Sequence, residues 1–293
     1  MATLREIRNR IVGVKKTQKI TRAMKMVAAA RLRRAQAAMF AARPYARKMA
    51  ELLGSLAGSE ALRQHPLVSP REVRSVAIVV VTSDRGLCGA FNSNLIKATL
   101  NLIATKYTDL NATGNLKLFC IGRKGFDVLS KRHYKVAGKH IGVYNNLVFG
   151  KAQAIAREII GAYEAGEVDR VEVVYNEFKS VAQQKIVIEQ FLPIPSVGPA
   201  SVQSATDYIY EPSLEEIVRF LVPGHLHFQV WRMLLESNAA EIGSRMAAME
   251  NATENASEMI SSLQLSYNKA RQASITTELL EVVSGAEALR RAG

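Results

Sequence analysis

The stretch VTSDRGLCGAFN (81–92) sets a β-branched run, two glycines and a helix start in the order that phosphate-binding loops use. It lacks the GxxxxGK core of a P-loop and the third glycine of a dinucleotide fingerprint, so the spacing favours a tight structural turn or a protein contact over a nucleotide site. GRKG (122–125) follows a second extended run, where ligands bind at the carboxyl ends of strands, and is read the same way. His225 and His227 stand two apart in a helical stretch and point to different sides, so they do not form a metal pair; the five histidines are read as surface residues. Cys88 and Cys120 lie outside any CxxC or His cluster, which indicates neither a disulfide framework nor a zinc site and fits a reducing compartment. Asn251-Ala-Thr and Asn255-Ala-Ser fit a glycosylation pattern but fall mid-helix and read as chance matches. No nucleophile–base or His–carboxylate constellation is present, so the expectation is a chain without catalytic residues, metal or cofactor.

Charge is the other chemistry on offer. The formal net charge is +13, and residues 1–50 carry 14 Lys and Arg against one acid, Glu6, so the rest of the chain balances. Such asymmetry points to an acidic partner, which could be nucleic acid, anionic lipid or a protein surface. A basic helix could lie on DNA as zipper proteins do. Against that, no aromatic residue precedes Phe40, and apolar heptad positions run directly through the basic region. Tight, salt-sensitive association with duplex DNA would favour the nucleic-acid reading, and saturable nucleotide binding would favour an α/β enzyme using the 81–92 turn. No run approaches the roughly 20 apolar residues of a spanning helix, and the start lacks the apolar core of a signal peptide. An Arg-rich organellar transit peptide is disfavoured because residues 1–50 contain no Ser and already follow a heptad.

These residues need elements to hold them. Residues 3–57 are dense in Ala, Arg, Lys, Met and Leu and read as one long helix, with Pro44 expected to bend it. Steps of three and four select Leu4, Ile7, Ile11, Val14, Gln18, Thr21, Lys25, Ala28, Leu32, Ala35, Met39, Ala42, Ala46, Met49, Leu53 and Leu56, with the repeat expected to shift onto Ile20, Met24 and Val27 across the polar stretch. After Pro66 and Pro70 the period changes: 75–82 (SVAIVVVT) is a strand buried on both faces, followed by a helix at 89–106, a strand at 116–121, a helix at 123–132, a weaker strand near 135–140, a helix at 151–165, and strands at 169–176 and 184–191. That alternation predicts a small, mostly parallel, Rossmann-like sheet. From about Ser213 the chain turns helical again, with a break expected at Pro223-Gly224. Its seam is predicted at Phe228, Trp231, Leu235, Asn238, Ile242, Arg245 or Met246, Met249, Ala252, Ala256, Met259, Leu263, Ser266, Ala270, Ala273, Thr277 and Leu280. Each terminal helix would be roughly 80–90 Å long, so the two must pair, antiparallel because they bracket a compact domain. The predicted fold is α/β plus a long antiparallel two-helix coiled coil, with segments 1–58 and 208–293 pairing around a central domain at 72–195.

At this point the sequence resembles the family of ATP synthase γ subunits. IRNRIVGVKKTQKITRAMKMVAAARLRRAQ (7–36), SDRGLCGAFN (83–92) and YNKARQASITTELLEVVSGAEAL (267–289) are similar to that family's N-terminal, internal and C-terminal signatures, in the right order and across essentially the whole chain. The resemblance implies a central rotor shaft, one copy per complex, that turns inside a hexameric ring of α and β subunits. It also implies a foot that sits on the membrane c ring and binds ε, so the chain would be peripheral on the cytoplasmic face of a bacterial inner membrane. Carried over by motif, Met24, Lys25, Arg271, Gln272 and Thr276 would face β, with Arg245 as a charged contact lower on the same helix. Asp84, Arg85 and Cys88 belong to the internal motif near the coiled coil, and Tyr208, Tyr210 and Glu211 to the foot. No catalytic residue, cofactor or nucleic acid is implied. Pro223-Gly224 departs from the uninterrupted helix of the family, and no cysteine-bearing regulatory insert of the chloroplast kind is present.

Overall fold

The computed structural model describes residues 3–181, 183–195 and 210–292. In chain order the elements are α1 (Leu4–Leu56), α2 (Glu60–Arg63), β1 (Val76–Val81), α3 (Phe91–Lys106), α4 (Thr108–Ala112), β2 (Leu116–Ile121), α5 (Arg123–Leu129), β3 (Val136–His140), α6 (Phe149–Glu164), β4 (Arg170–Phe178), β5 (Gln184–Leu192) and α7 (Leu214–Ala292). They fall into two compact units. One spans Ala28–Arg245, and the other joins the residues up to Val27 with those from Met246. Both α1 and α7 contribute to each unit.

The larger unit is built on a five-stranded sheet of order β3-β2-β1-β4-β5, parallel except for β5, which runs antiparallel to β4. β1 explains the two-layer core by itself. All six of its residues are buried, and the period of two sends them alternately to opposite faces. Ala77, Val79 and Val81 join α6, the end of α1 and the first turns of α7 through Ile155, Ile159, Leu53, Val222 and Leu226. Val76, Ile78 and Val80 meet α3 and β2 through Leu95, Ile103, Leu116 and Leu118. Each such Val, Ile or Leu side chain, wholly removed from water, contributes about 1.5–3 kcal/mol.

Both long helices begin with a sequence-readable cap. At α1, Thr3 Oγ1 accepts from Glu6 N at 3.3 Å while Glu6 Oε2 accepts from Thr3 N at 2.9 Å, a reciprocal capping box. At α7, Ser213 Oγ accepts from Glu216 N at 3.3 Å. Each helix then runs through a proline, Pro44 in α1 and Pro223 in α7. The break expected at Pro223-Gly224 does not occur. Val218, Val222, Leu226 and Val230, spaced by four, are all buried, so one apolar stripe is anchored in the core on both sides of the proline. That packing outweighs the single lost backbone bond. His225, read from sequence as a surface residue, lies within this stretch and is buried instead.

The helix seams correct two further expectations. In α1 the repeat does not shift: Thr21 is buried and Gln18, Met24 and Lys25 are half-buried, whereas Ile20 and Val27 are 59% and 54% exposed. Moving the seam to Ile20 and Val27 would rotate it away from Val14 on one side and Ala28 on the other, both of which it already includes. In α7 the seam within the smaller unit follows Met249, Thr253, Ala256, Ile260, Leu263, Tyr267, Ala270 and Ser274, while Met259, Ser266, Ala273, Thr277 and Leu280 are exposed.

Candidate functional site

Two polar residues of the α1 seam, Thr21 and Lys25, have partners across it. Thr21 Oγ1 lies 2.8 Å from Thr253 Oγ1, which itself donates to the Met249 carbonyl at 2.7 Å. One turn along, the Lys25 ammonium pairs with the Glu250 carboxylate. Moving up α1 from Thr21 to Lys25 means moving down α7 from Thr253 to Glu250, so the helices of the smaller unit are antiparallel. Polar groups inside a seam fix register, because any slip leaves them facing apolar neighbours. The outside of the pair is the inverse: Val12, Ile20, Met26 and Val27 are exposed large hydrophobics among the basic side chains of α1. An open groove beside the seam is lined by Gln18, Lys19, Arg22, Lys25, Glu250, Thr253 and Glu254. Continued in the same register, the α1 partner ends near Ala270. Every described side chain of α7 after Ser274 is exposed, Ile275, Leu279, Leu280, Val282, Val283 and Leu289 among them. Arg271, Gln272 and Thr276 stand exposed at this end, with Thr276 Oγ1 turned back onto the Gln272 carbonyl at 2.9 Å.

In the larger unit the loop after β1 is held by hydrogen bonds to three other segments. Thr82 Oγ1 donates to the Ile121 carbonyl at 3.1 Å and accepts from Gly125 N at 2.8 Å. This close approach is possible because Gly122, at φ +89°, has no side chain: a Cβ there would lie 2.1 Å from the Thr82 carbonyl oxygen. Asp84 Oδ1 accepts from Arg123 N at 3.1 Å and Gly142 N at 3.0 Å, so one carboxylate ties together the loops after β2 and β3. Amides that could otherwise receive a phosphate are already engaged by this side chain. Ser83 N donates to Asn92 Oδ1 at 2.9 Å, and Asn92 Nδ2 in turn reaches the buried Cys88 Sγ at 3.2 Å. Burial pushes the Cys88 thiol pKa up and the Cys120 thiol up to about 12. Arg245 braces the loop from α7: its Nη1 donates to the Gly86 carbonyl at 2.6 Å and its Nε to Glu241 Oε1 at 3.0 Å. What the loop presents outward is Arg85 and Leu87, the latter 66% exposed at φ +65°.

Of the residues singled out from sequence, the structure thus places Asp84, Cys88 and Arg245 around one loop, Met24 and Lys25 on the helix pair, and Arg271, Gln272 and Thr276 near its end. Tyr210 and Glu211 are exposed ahead of α7, and Tyr208 lies outside the described residues. Sequence reasoning missed Thr253, Glu250 and Gly86 as partners, and Leu87 altogether. The heptad offered a signal for the first two, since they fall opposite polar α1 positions. Among the described residues no group of three or more His, Cys, Asp or Glu could hold a metal, and no helix is long and apolar enough to cross a membrane.

The family model described as ATP synthase matches residues 3–289. An ATP synthase gamma chain of Prosthecochloris aestuarii is 54% identical over 291 residues, spanning 99% of either chain. One from Chlorobaculum tepidum is 52% identical over 292 residues, spanning 99% of this chain and all of its own. Among solved structures, a chain of the central stalk and c ring of the Tetrahymena thermophila mitochondrial ATP synthase aligns with a TM-score of 0.61 at 28% identity, over 80% of this chain and 99% of that one. A chain of the Euglena gracilis mitochondrial enzyme shares the fold, with a TM-score of 0.68 at 20% identity over 98% of this chain and 94% of its own.

Proposed function

The chain belongs to the ATP synthase gamma-chain family, and from that premise we propose that it is the central-stalk rotor subunit, carrying rotation of the membrane c ring to the catalytic ring of α and β subunits. It has no catalytic role of its own. The observation that carries the reading is the inverted helix pair. The Thr21–Thr253 contact in the seam and the half-exposed Lys25–Glu250 pair at its edge oppose slippage, while basic and apolar groups outside are available to a surrounding sleeve. Because α1 and α7 differ in sequence, with the basic excess on α1, the pair offers each surrounding subunit a different face. An angle is thereby turned into differential contact energy, which is the requirement for shifting a partner between states.

In this reading the exposed Arg271, Gln272 and Thr276 meet β directly, together with Met24. Lys25 and Arg245 spend part of their charge within the chain, on Glu250 and Glu241, and act on β partly by holding the surface that touches it. The loop of Asp84, Arg85 and Cys88 is a second contact, and Tyr208, Tyr210 and Glu211 form the foot toward ε and the c ring. The chain is peripheral, held at the cytoplasmic face of a bacterial inner membrane through the c ring. Purification of the ATP synthase from native membranes tests this: the chain is expected to elute with α, β and ε polypeptides, and its absence from that complex would overturn the assignment.

A further inference from the structure

Three polar side chains of the larger unit converge without bonding one another. Asp84, in the loop after β1, spends Oδ1 on the Arg123 and Gly142 amides, at 3.1 and 3.0 Å. Its Oδ2 is buried and has no hydrogen-bond partner among the described residues, and the same is true of Tyr144 Oη and Ser237 Oγ. Gly142 leads directly into the turn 143–145, so its bond to Asp84 brings Tyr144 beside the loop. From the other side comes α7, where Ser237, Glu241 and Arg245 recur every four residues on one face. Arg245 Nη1 reaches the Gly86 carbonyl, two residues beyond Asp84. The phenol feels all of these neighbours. Burial pushes the Tyr144 pKa up, the Ser237 hydroxyl opposes the rise, and the Glu241 and Asp84 carboxylates add to it. Ser237 Oγ is thus close to the phenol, yet the two oxygens do not stand in hydrogen-bond geometry to each other.

Buried polar atoms in folded proteins find partners in the protein or in ordered water, and a buried water is held by about two to four such bonds. The groups present match one. A carboxylate oxygen such as Asp84 Oδ2 only accepts, while each of the two hydroxyls has a proton to donate. We propose that a single structural water is bound here, accepting from the Tyr144 and Ser237 hydroxyls and donating to Asp84 Oδ2. A cation would instead take the oxygen lone pairs and leave both buried hydroxyl protons without an acceptor. Glu241 is already engaged by Arg245, so Asp84 Oδ2 is the acceptor that remains. The water gives the loop a second tether to α7, two turns before the one made by Arg245, at a site that the rotor-subunit reading does not assign.

The test is a density map of the full chain at a resolution that shows ordered water. One peak is expected about 2.7–3.0 Å from each of Asp84 Oδ2, Tyr144 Oη and Ser237 Oγ. A map in which these oxygens are ordered and the space between them is blank would overturn the proposal, as would direct hydrogen bonds among the three. So would a peak with contacts of about 2.3–2.6 Å, the distances of a hard cation. Tyr144→Phe combined with Ser237→Ala takes away both hydroxyls. In that variant the peak should be lost while Asp84 Oδ1 keeps its bonds to the Arg123 and Gly142 amides, and a peak of unchanged height would show that the hydroxyls do not hold the water. The map of the unaltered chain decides the proposal whether or not this variant folds. It does so independently of the rotor-subunit reading, which stands or falls on co-purification with α, β and ε.

Discussion

His225 shows how burial at one residue becomes a property of the whole fold. Burial on α7, helped by the nearby Arg232 charge, lowers its pKa from 6.5 to about 4. Between those values the unfolded chain holds a proton that the folded chain does not. Stability contributed by the neutral ring is therefore intact above pH 6.5, falls as the pH drops toward 4, and changes no further below it. His225→Gln should remove this dependence, worth on the order of 2–3 kcal/mol, which urea unfolding of both proteins at pH 7 and pH 4.5 would measure. An equal pH slope in the two would contradict the assignment. A lone histidine in a helical stretch carries no sign of which face it occupies, and for this reason its burial was not legible. The same holds for the loop after β1. Its Ser-Asp-Arg-Gly order was plainly a turn, but the amides that Asp84 accepts from lie 39 and 58 residues away, and no local pattern encodes that distance.

Among the elements, α7 runs through Pro223 because the stripe from Val218 to Val230 is buried. The proline still leaves the Arg219 carbonyl without its helical donor, so Pro223→Ala should raise stability by roughly 1–3 kcal/mol. A thermal unfolding midpoint that stays put or falls in this variant would mean that the ring itself supplies packing there. The strands were the most legible part. β2 occupies the predicted 116–121, and β1 lies within 75–82, since short apolar runs bounded by polar or glycine residues, β-branched throughout most of β1, have few alternative uses. The phase of the α7 seam was less legible. Ala, Ser and Thr occupy both candidate phases, and only a bulky contrast such as Ile260 against Met259 separates them once α1 lies alongside. The α1 seam misled for the opposite reason. Between residues 18 and 27 its shielded positions include the polar Gln18, Thr21 and Lys25 while Ile20 and Val27 are exposed, which locally reverses the rule that hydrophobicity marks the inside.

For the whole molecule, the largest effect is expected where a change touches no fold-stabilising contact. Arg271→Ala with Gln272→Ala alters exposed groups on α7 and should shift unfolding free energy by less than about 0.5 kcal/mol. In membranes, the same pair is expected to lower gradient-driven ATP synthesis about tenfold, equivalent to roughly 1.4 kcal/mol of coupling. Unchanged synthesis would take both residues out of the β contact. The two buried thiols have a practical consequence as well. Cys88 and Cys120 are the chain's full complement of cysteine, and burial keeps both in the unreactive protonated form at neutral pH. A new cysteine at the exposed Ser284 could therefore take a maleimide dye against a silent background. Optical tracking of the turning subunit would then need no prior stripping of its native sulfur.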